Sequence, residues 1–131
     1  MLEENSQSVH IDAICGHVND LVSIVHMRNK NWWVDIKTML PIKRNVGELL
    51  CLVHSEISEA MEGDRKNLMD DKLPHRKMLE VELADAVIRI LDISGGLGFD
   101  LGGAIAEKLE YNANRADHKI ENRLGENGKK Y

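Results

Sequence analysis

Residues 79–93 read LEVELADAVIRILDI, and the reading of this stretch decides the fold. Wound as an α-helix it is apolar nearly all the way round, through Leu79, Val81, Leu83, Ala84, Ala86, Val87, Ile88, Ile90, Leu91 and Ile93. That pattern predicts a helix buried on most sides. Glu82 and Asp85 nevertheless stand three residues apart on it, which on a helix is one face. Ionised carboxylates on a buried face need compensation, because an unpaired charge in low dielectric costs on the order of several kcal/mol. Arg89, four residues after Asp85, neutralises at most one of the two. A metal ion is the obvious further positive charge.

On the N-terminal side, Asn45 followed by Glu48 has the spacing of a helix N-cap with an acid at the third helical position. The helix it opens carries Leu49, Leu50, Leu52, Val53, Ile57, Ala60 and Met61 and is expected to stop near Gly63. Glu56 and Glu59 lie three apart on it, near the edge of the apolar stripe. The polar run DRKNLMDDKLPH, residues 64–75, reads as a flexible connection closed by Pro74. The buried helix follows from about Arg76 to Ser94, with Gly95, Gly96 and Gly98 as its terminators. Further back, residues 8–30 repeat apolar positions at three and four, predicting an amphipathic helix with Ser6 or Ser8 as N-cap. Trp32 and Trp33 come next, in a connection that runs to Pro41. Beyond the glycines, Asp100 caps a last long helix over residues 101–120, and residues 121–131 read as a frayed tail. No segment alternates with period two. The expected fold is all-α, a four-helix-type bundle forming a single domain over residues 1–131.

The chain has 131 residues with 17 basic and 22 acidic side chains, a formal net charge of -5. That balance argues against a general nucleic-acid binder, which needs a basic surface, but leaves room for a nucleotide whose phosphates meet acids through a metal. Aromatic residues make up only 4%, so the core is expected to be aliphatic. Cys15 and Cys51 lack a Cys-x-x-Cys spacing and read as two buried free thiols. The opening MLEENSQSVH has neither the basic nor the apolar segment of a secretory signal. No apolar run nears the roughly 20 residues that span a bilayer. The expectation is a soluble, cytoplasmic protein with no membrane and no nucleic-acid partner.

Two paired-acid spacings, Glu56-x-x-Glu59 and Glu82-x-x-Asp85, are the main chemical signal. Each pair alone suits a solvated face as well as a site, but the second sits on a helix with little solvated face to offer. Converging on one point, the two pairs offer four hard oxygen donors, which favour Mg²⁺ or Mn²⁺ over zinc or copper. A di-iron bundle would require Glu-x-x-His, and none of the six histidines follows a glutamate by three. On the last helix Lys108, Asn112, Arg115 and Lys119 are spaced four, three and four and share one face. That stripe is either a phosphate grip or the solvated side of an amphipathic helix. Trp32 and Trp33 either plug the end of the bundle or stack on a ligand base.

These residues resemble the MazG-like all-α nucleoside triphosphate pyrophosphohydrolases, a superfamily that also includes dimeric dUTPases, dCTP pyrophosphatases and phosphoribosyl-ATP pyrophosphatases. HSEISEA (Glu56, Glu59) and EVELADAVIRILD (Glu82, Asp85) match the paired-acid pattern, and KLEYNANRADHK (Lys108, Asn112, Arg115) matches the Lys-x-x-x-Asn-x-x-Arg pattern of the last helix. NKNWWVD resembles a Lys-Gly-Trp/Phe-Trp-Asp segment, with Asn31 in place of the glycine. The resemblance covers residues 26–123.

The resemblance implies Mg²⁺, replaceable by Mn²⁺, held by Glu56, Glu59, Glu82 and Asp85. It implies cleavage of nucleoside triphosphates between the α and β phosphates, to a monophosphate and pyrophosphate, in clearance of unwanted nucleotides. A homodimer or homotetramer with the site near the subunit interface goes with it. In that chemistry Glu59, with Glu56 beside it, is the candidate catalytic acid pair, Glu59 accepting a proton from the attacking water. Lys108, Asn112, Arg115 and Lys119 are candidates to hold phosphate, and Trp32 or Trp33 to cover the base. A phosphoribosyl-ATP pyrophosphatase differs only in substrate. A non-catalytic helical oligomerisation or adaptor module explains the amphipathic helices equally well, but not two acid pairs together with a cation–amide stripe.

Overall fold

A computed structural model describes the backbone of residues 2–131 and the side chains of residues 10–131. The expectation of an all-helical chain holds. Helices α1 (Leu2–Arg28), α2 (Val46–Arg65), α3 (Met78–Leu97), α4 (Leu101–Ala113) and the short α5 (Ile120–Arg123) are joined by loops and by 3-10 turns at Lys30–Trp33 and Ala116–His118. Among the described residues there is no strand, only isolated bridges pairing Val34 with Pro41 and Met69 with Lys77. No described helix is long and apolar enough to cross a membrane. The chain divides into two compact units, residues 21–99 and residues 1–20 with 100–131.

The unit of residues 21–99 is built on α2 and α3. Asn45 caps α2 by accepting the backbone N–H of Glu48 at 3.2 Å. Gly63, expected to end the helix, lies inside it and is buried, since α2 runs on to Arg65. A Cβ at Gly63 would sit 2.8 Å from the Met78 side chain. The end of α2 therefore rests on the start of α3, and the two helices run antiparallel.

The connection between them is not the flexible one that its polarity suggests. Asp70 is buried and accepts the N–H groups of Lys72 (2.9 Å) and Leu73 (2.7 Å). The Met78 N–H donates to Leu68 O at 3.0 Å. One buried carboxylate thus satisfies the loop's own backbone.

Helix α3 also runs past its expected end. Gly98 alone terminates it, in the left-handed region at φ 71°, with Phe99 N–H donating to Ser94 O at 2.9 Å. Gly95 and Gly96 are helical and serve packing instead. A Cβ on Gly95 would collide with the His26 side chain, and one on Gly96 with the Trp33 ring.

Burial of α3 is one-sided rather than all round. Glu82, Ala86 and residues 91–94 are buried, whereas Leu83 (46%), Val87 (52%) and Ile90 (40%) stay exposed. Cys15 is half-buried and Cys51 exposed, so Cys51 departs from the expected buried thiol.

In the other unit, α1 starts at Leu2, which puts Ser6 and Ser8 within the helix rather than at its cap. Asn19 Oδ1 accepts the Gly102 N–H at 2.9 Å, and its Nδ2 donates to Asp100 at 2.8 Å. Asp100 in turn caps α4 by accepting the Gly103 N–H at 2.9 Å. Gly102 lets α4 approach α1, because a Cβ there would sit 2.6 Å from the Cys15 carbonyl oxygen. Helix α4 ends at Ala113 instead of reaching residue 120. Arg115 is extended (φ -74°, ψ 129°) and Lys119 likewise (φ -70°, ψ 142°). The helical face expected to align Lys108, Asn112, Arg115 and Lys119 is therefore broken after Asn112. Ahead of the tail, Asp117 pairs with both Arg115 and Lys129 at 2.7 Å.

Gly96→Ala should drive a methyl into the Trp33 ring and destabilise the protein by about 1–3 kcal/mol, the usual cost of overpacking. Gly16, inside α1 with nothing near its Cβ position, is the control. Gly16→Ala should be neutral or stabilise by up to about 1 kcal/mol. Urea denaturation of both variants checks this, and equal midpoints would remove the packing role assigned to Gly96.

Candidate functional site

The buried stripe of α2 is Leu49, Glu56, Ala60 and Gly63, spaced seven, four and three. Glu56 is thus in the middle of the packed face and not at its edge. On α3 Glu82 lies one turn from buried Ala86. Alanine and glycine at these positions let the two backbones approach closely, and that approach brings the acids together. One carboxylate oxygen from each of Glu56, Glu59 and Glu82 lies within 4.8 Å of the others. Glu56 and Glu82 are buried and Glu59 is exposed.

Arg89 reaches neither Glu82 nor Asp85, its neighbours on α3. It crosses to α2, and its Nε donates to Glu56 Oε1 at 2.6 Å. Burial pushes the Glu56 carboxyl up, but the bond from Arg89 and contacts from Glu82 and Glu59 outweigh it and hold Glu56 below its ordinary value. Glu82 has no such partner. Burial first, then the nearby Glu56 and Glu59, push it up to about 7. Its Oε2 is buried without any hydrogen-bond partner. Asp85 is raised too, by burial and by the charges of Glu56 and Asp70, with Arg89 opposing.

A cleft of about 450 Å³ opens beside these acids. Glu56, Asp85, Arg89 and Asp92 line one part of it, with Asn29, Trp32, Arg44, Leu52 and Ile88 around the rest. The two tryptophans separate in role. Trp32 is 70% exposed and lines the cleft. Trp33 is committed to the fold, because its Nε1 donates to both oxygens of buried Asp92 at 3.1 Å. His26 Nδ1 donates to the same carboxylate at 2.8 Å, and the His26 ring meets Trp33 edge-on at 5.4 Å. Arg44 covers the Trp33 ring at 5.4 Å.

Lys108 and Asn112 on α4, and Arg115 and Lys119 beyond it, belong to the other unit. Lys108 lies over the Tyr111 ring at 4.7 Å. The Asn112 Oδ1 is buried without a partner. Arg115 donates from Nε and Nη2 to Asp117, at 3.0 and 2.7 Å. Lys119 is exposed.

Sequence reasoning passed over Arg44, Asn29 and Asp92. The basic pair Lys43–Arg44 directly ahead of the acid-bearing helix was a visible signal for the first. Asp92 had none, since it is one acid on an apolar helix whose partners lie 59 and 66 residues away.

Compared with known proteins, the chain matches no family model, and neither curated proteins nor solved structures give a match.

The acid cluster sets a pH dependence for the metal-free protein. Folded Glu82 keeps its proton up to about pH 7, whereas an unperturbed glutamate releases it near 4.5. The folded state therefore binds more protons in that interval, and stability falls as pH rises through it. Asp85 acts in the same sense, while the depressed Glu56 stabilises above its ordinary value and loses that contribution on acidification. In EDTA, melting temperature should drop between pH 5 and pH 8. Glu82→Gln should flatten that slope and melt higher than wild type at pH 8. A variant with the wild-type slope would show that Glu82 is not the responsible group.

Proposed function

We propose that this protein is a Mg²⁺-dependent nucleoside triphosphate pyrophosphohydrolase of the MazG-like kind, splitting the substrate into a monophosphate and pyrophosphate. The observation that carries the reading is the convergence of Glu56, Glu59 and Glu82, with a buried oxygen of Glu82 that no protein group satisfies. Native proteins seldom leave such an atom unpaired without a ligand to meet it. All the donors are carboxylate oxygens, which suits a hard cation. Glu56, Glu59, Glu82 and Asp85 would hold Mg²⁺, which supplies charge to offset the triphosphate and acidifies a bound water.

The chain's own groups divide the remaining work. Glu59, exposed and outside the Arg89 pair, is the acid free to accept the proton of the attacking water as the α–β anhydride breaks. Glu56 stays ionised through Arg89 and anchors the set. Trp32 offers a flat apolar face at the cleft rim for a base. Lys108 and Asn112, which the motif resemblance names as phosphate-holding groups, belong to the other unit. Arg115 and Lys119 are weaker candidates, the first already bound to Asp117 and the second off the helix.

Assembly follows from the surface of α2 and α3. Leu50, Ile57 and Met61 on α2, and Leu83, Val87 and Ile90 on α3, recur at helical spacing and stand 40–57% exposed. Two apolar stripes of that kind on neighbouring helices favour a homodimer or larger homo-oligomer. The same stripes are what a non-catalytic oligomerisation module would show, but such a module gives the buried acids no task.

Wild-type protein should release pyrophosphate, not orthophosphate, from a panel of nucleoside triphosphates, and only with Mg²⁺ or Mn²⁺. Glu56→Gln, Glu59→Gln, Glu82→Gln and Asp85→Asn should each lower turnover by about a hundredfold or more, since each removes a ligand from a mutually balanced set. Intact pyrophosphate release in all four variants would show that the acids are not the site. In the same preparations sedimentation should report at least a dimer at micromolar concentration. A monomer would leave the apolar stripes without their proposed cover.

A further inference from the structure

The cleft contains a cation that the fold holds in place and does not neutralise. Arg44 is half-buried in the loop between the Val34–Pro41 bridge and the Asn45 cap. Its guanidinium lies over the Trp33 ring, 5.4 Å from the centroid. That ring is itself fixed by its hydrogen bonds to Asp92, by the edge of His26 and by the bare backbone of Gly96. The contrast with Arg89 is direct, since Arg89 spends its Nε on Glu56. Among the described residues no carboxylate comes within ion-pair distance of Arg44.

A guanidinium carries five N–H donors in a rigid plane. Arg44 is held beside the indole by a cation–π contact, and among the described residues no side chain takes those donors. A planar fork of this type matches a phosphate, which accepts two parallel N–H bonds. The same cleft holds Glu56 and Asp85, so a polyphosphate there would meet metal-bearing carboxylates and a guanidinium. We propose that Arg44 is a substrate-binding residue that grips the polyphosphate chain, with Trp33, Asp92 and His26 as its positioning platform. This rests on the function proposed above and adds a phosphate-holding group within the unit of residues 21–99, separate from the α4 cations.

The test uses full-length protein carrying Trp32→Phe, which leaves Trp33 as the only tryptophan. Inorganic tripolyphosphate with Mg²⁺ is the probe, titrated by calorimetry and followed by Trp33 emission. Binding should perturb that emission saturably. Arg44→Ala should weaken tripolyphosphate by about tenfold or more, with Arg44→Lys intermediate because it keeps charge but not the fork. Affinity for Mg²⁺ alone should stay within about twofold of the parent, as expected for a charge-assisted contact to the phosphate and not to the metal. Should Arg44→Ala fail to fold, Arg44→Gln retains the stem and a planar amide and carries the comparison.

Parent-like tripolyphosphate affinity in the Ala and Lys variants would overturn the assignment. So would parallel loss of Mg²⁺ and tripolyphosphate, or no binding by the parent. Arg44-dependent binding without nucleotide cleavage by wild-type protein would remove the enzymatic reading and leave the grip standing. Cleavage with the KM and kcat of the Trp32→Phe parent in both variants would do the reverse.

Discussion

Three carboxylates forced together between α2 and α3 are the constraint on which the rest of the structure depends. Small residues at Ala60, Gly63 and Ala86 bring the helices close enough that Glu56 and Glu82 are buried together. Like charges at that separation repel strongly in a poorly hydrated environment. Only Glu56 gains a cationic partner. Glu59 is exposed to water, and Glu82 is left with a buried oxygen that has no partner, which costs stability. Under the function proposed above, this liability in the middle of the packed face is what a hard cation such as Mg²⁺ or Mn²⁺ would relieve.

A second buried acid performs the opposite task. Asp92 is fully used, accepting from Trp33 and His26, and it ties the end of α1 and the following turn to α3. Gly95 and Gly96 make room for both rings. One face of α3 thus presents an unsatisfied acid, Glu82, while its last turns carry a satisfied one that fixes the cleft wall. The division shows why acidity alone does not mark a site: Asp70, equally buried, merely closes a loop.

Much of this was legible in the amino-acid order. The Asn45 and Asp100 caps are local signals, and both appear in the structure; of the two acid pairs, Glu56, Glu59 and Glu82 come together, and Asp85 is not in that cluster. The corrections come from non-local contacts. Gly95 and Gly96 read as terminators because glycine breaks helices, but their task is to admit His26 and Trp33 from elsewhere in the chain. Polarity suggested a flexible loop at residues 64–75, yet Asp70 satisfies its backbone from inside. The Lys108–Lys119 periodicity continued past Asn112 in sequence, while the helix did not. Arg89 was assigned a neighbour on its own helix and instead crosses to Glu56, a choice no single-helix spacing reveals.

Whether the acids exist to hold a divalent cation is best settled by titrating metal-free protein with Mn²⁺ and counting free ion by its paramagnetic resonance signal. Wild-type protein should remove Mn²⁺ from solution saturably, and Glu82→Gln, though folded and more stable at neutral pH without metal, should lose that capacity. Free Mn²⁺ at the level of a protein-free control, or equal uptake by the Glu82→Gln protein, would contradict a metal centre at Glu56, Glu59 and Glu82.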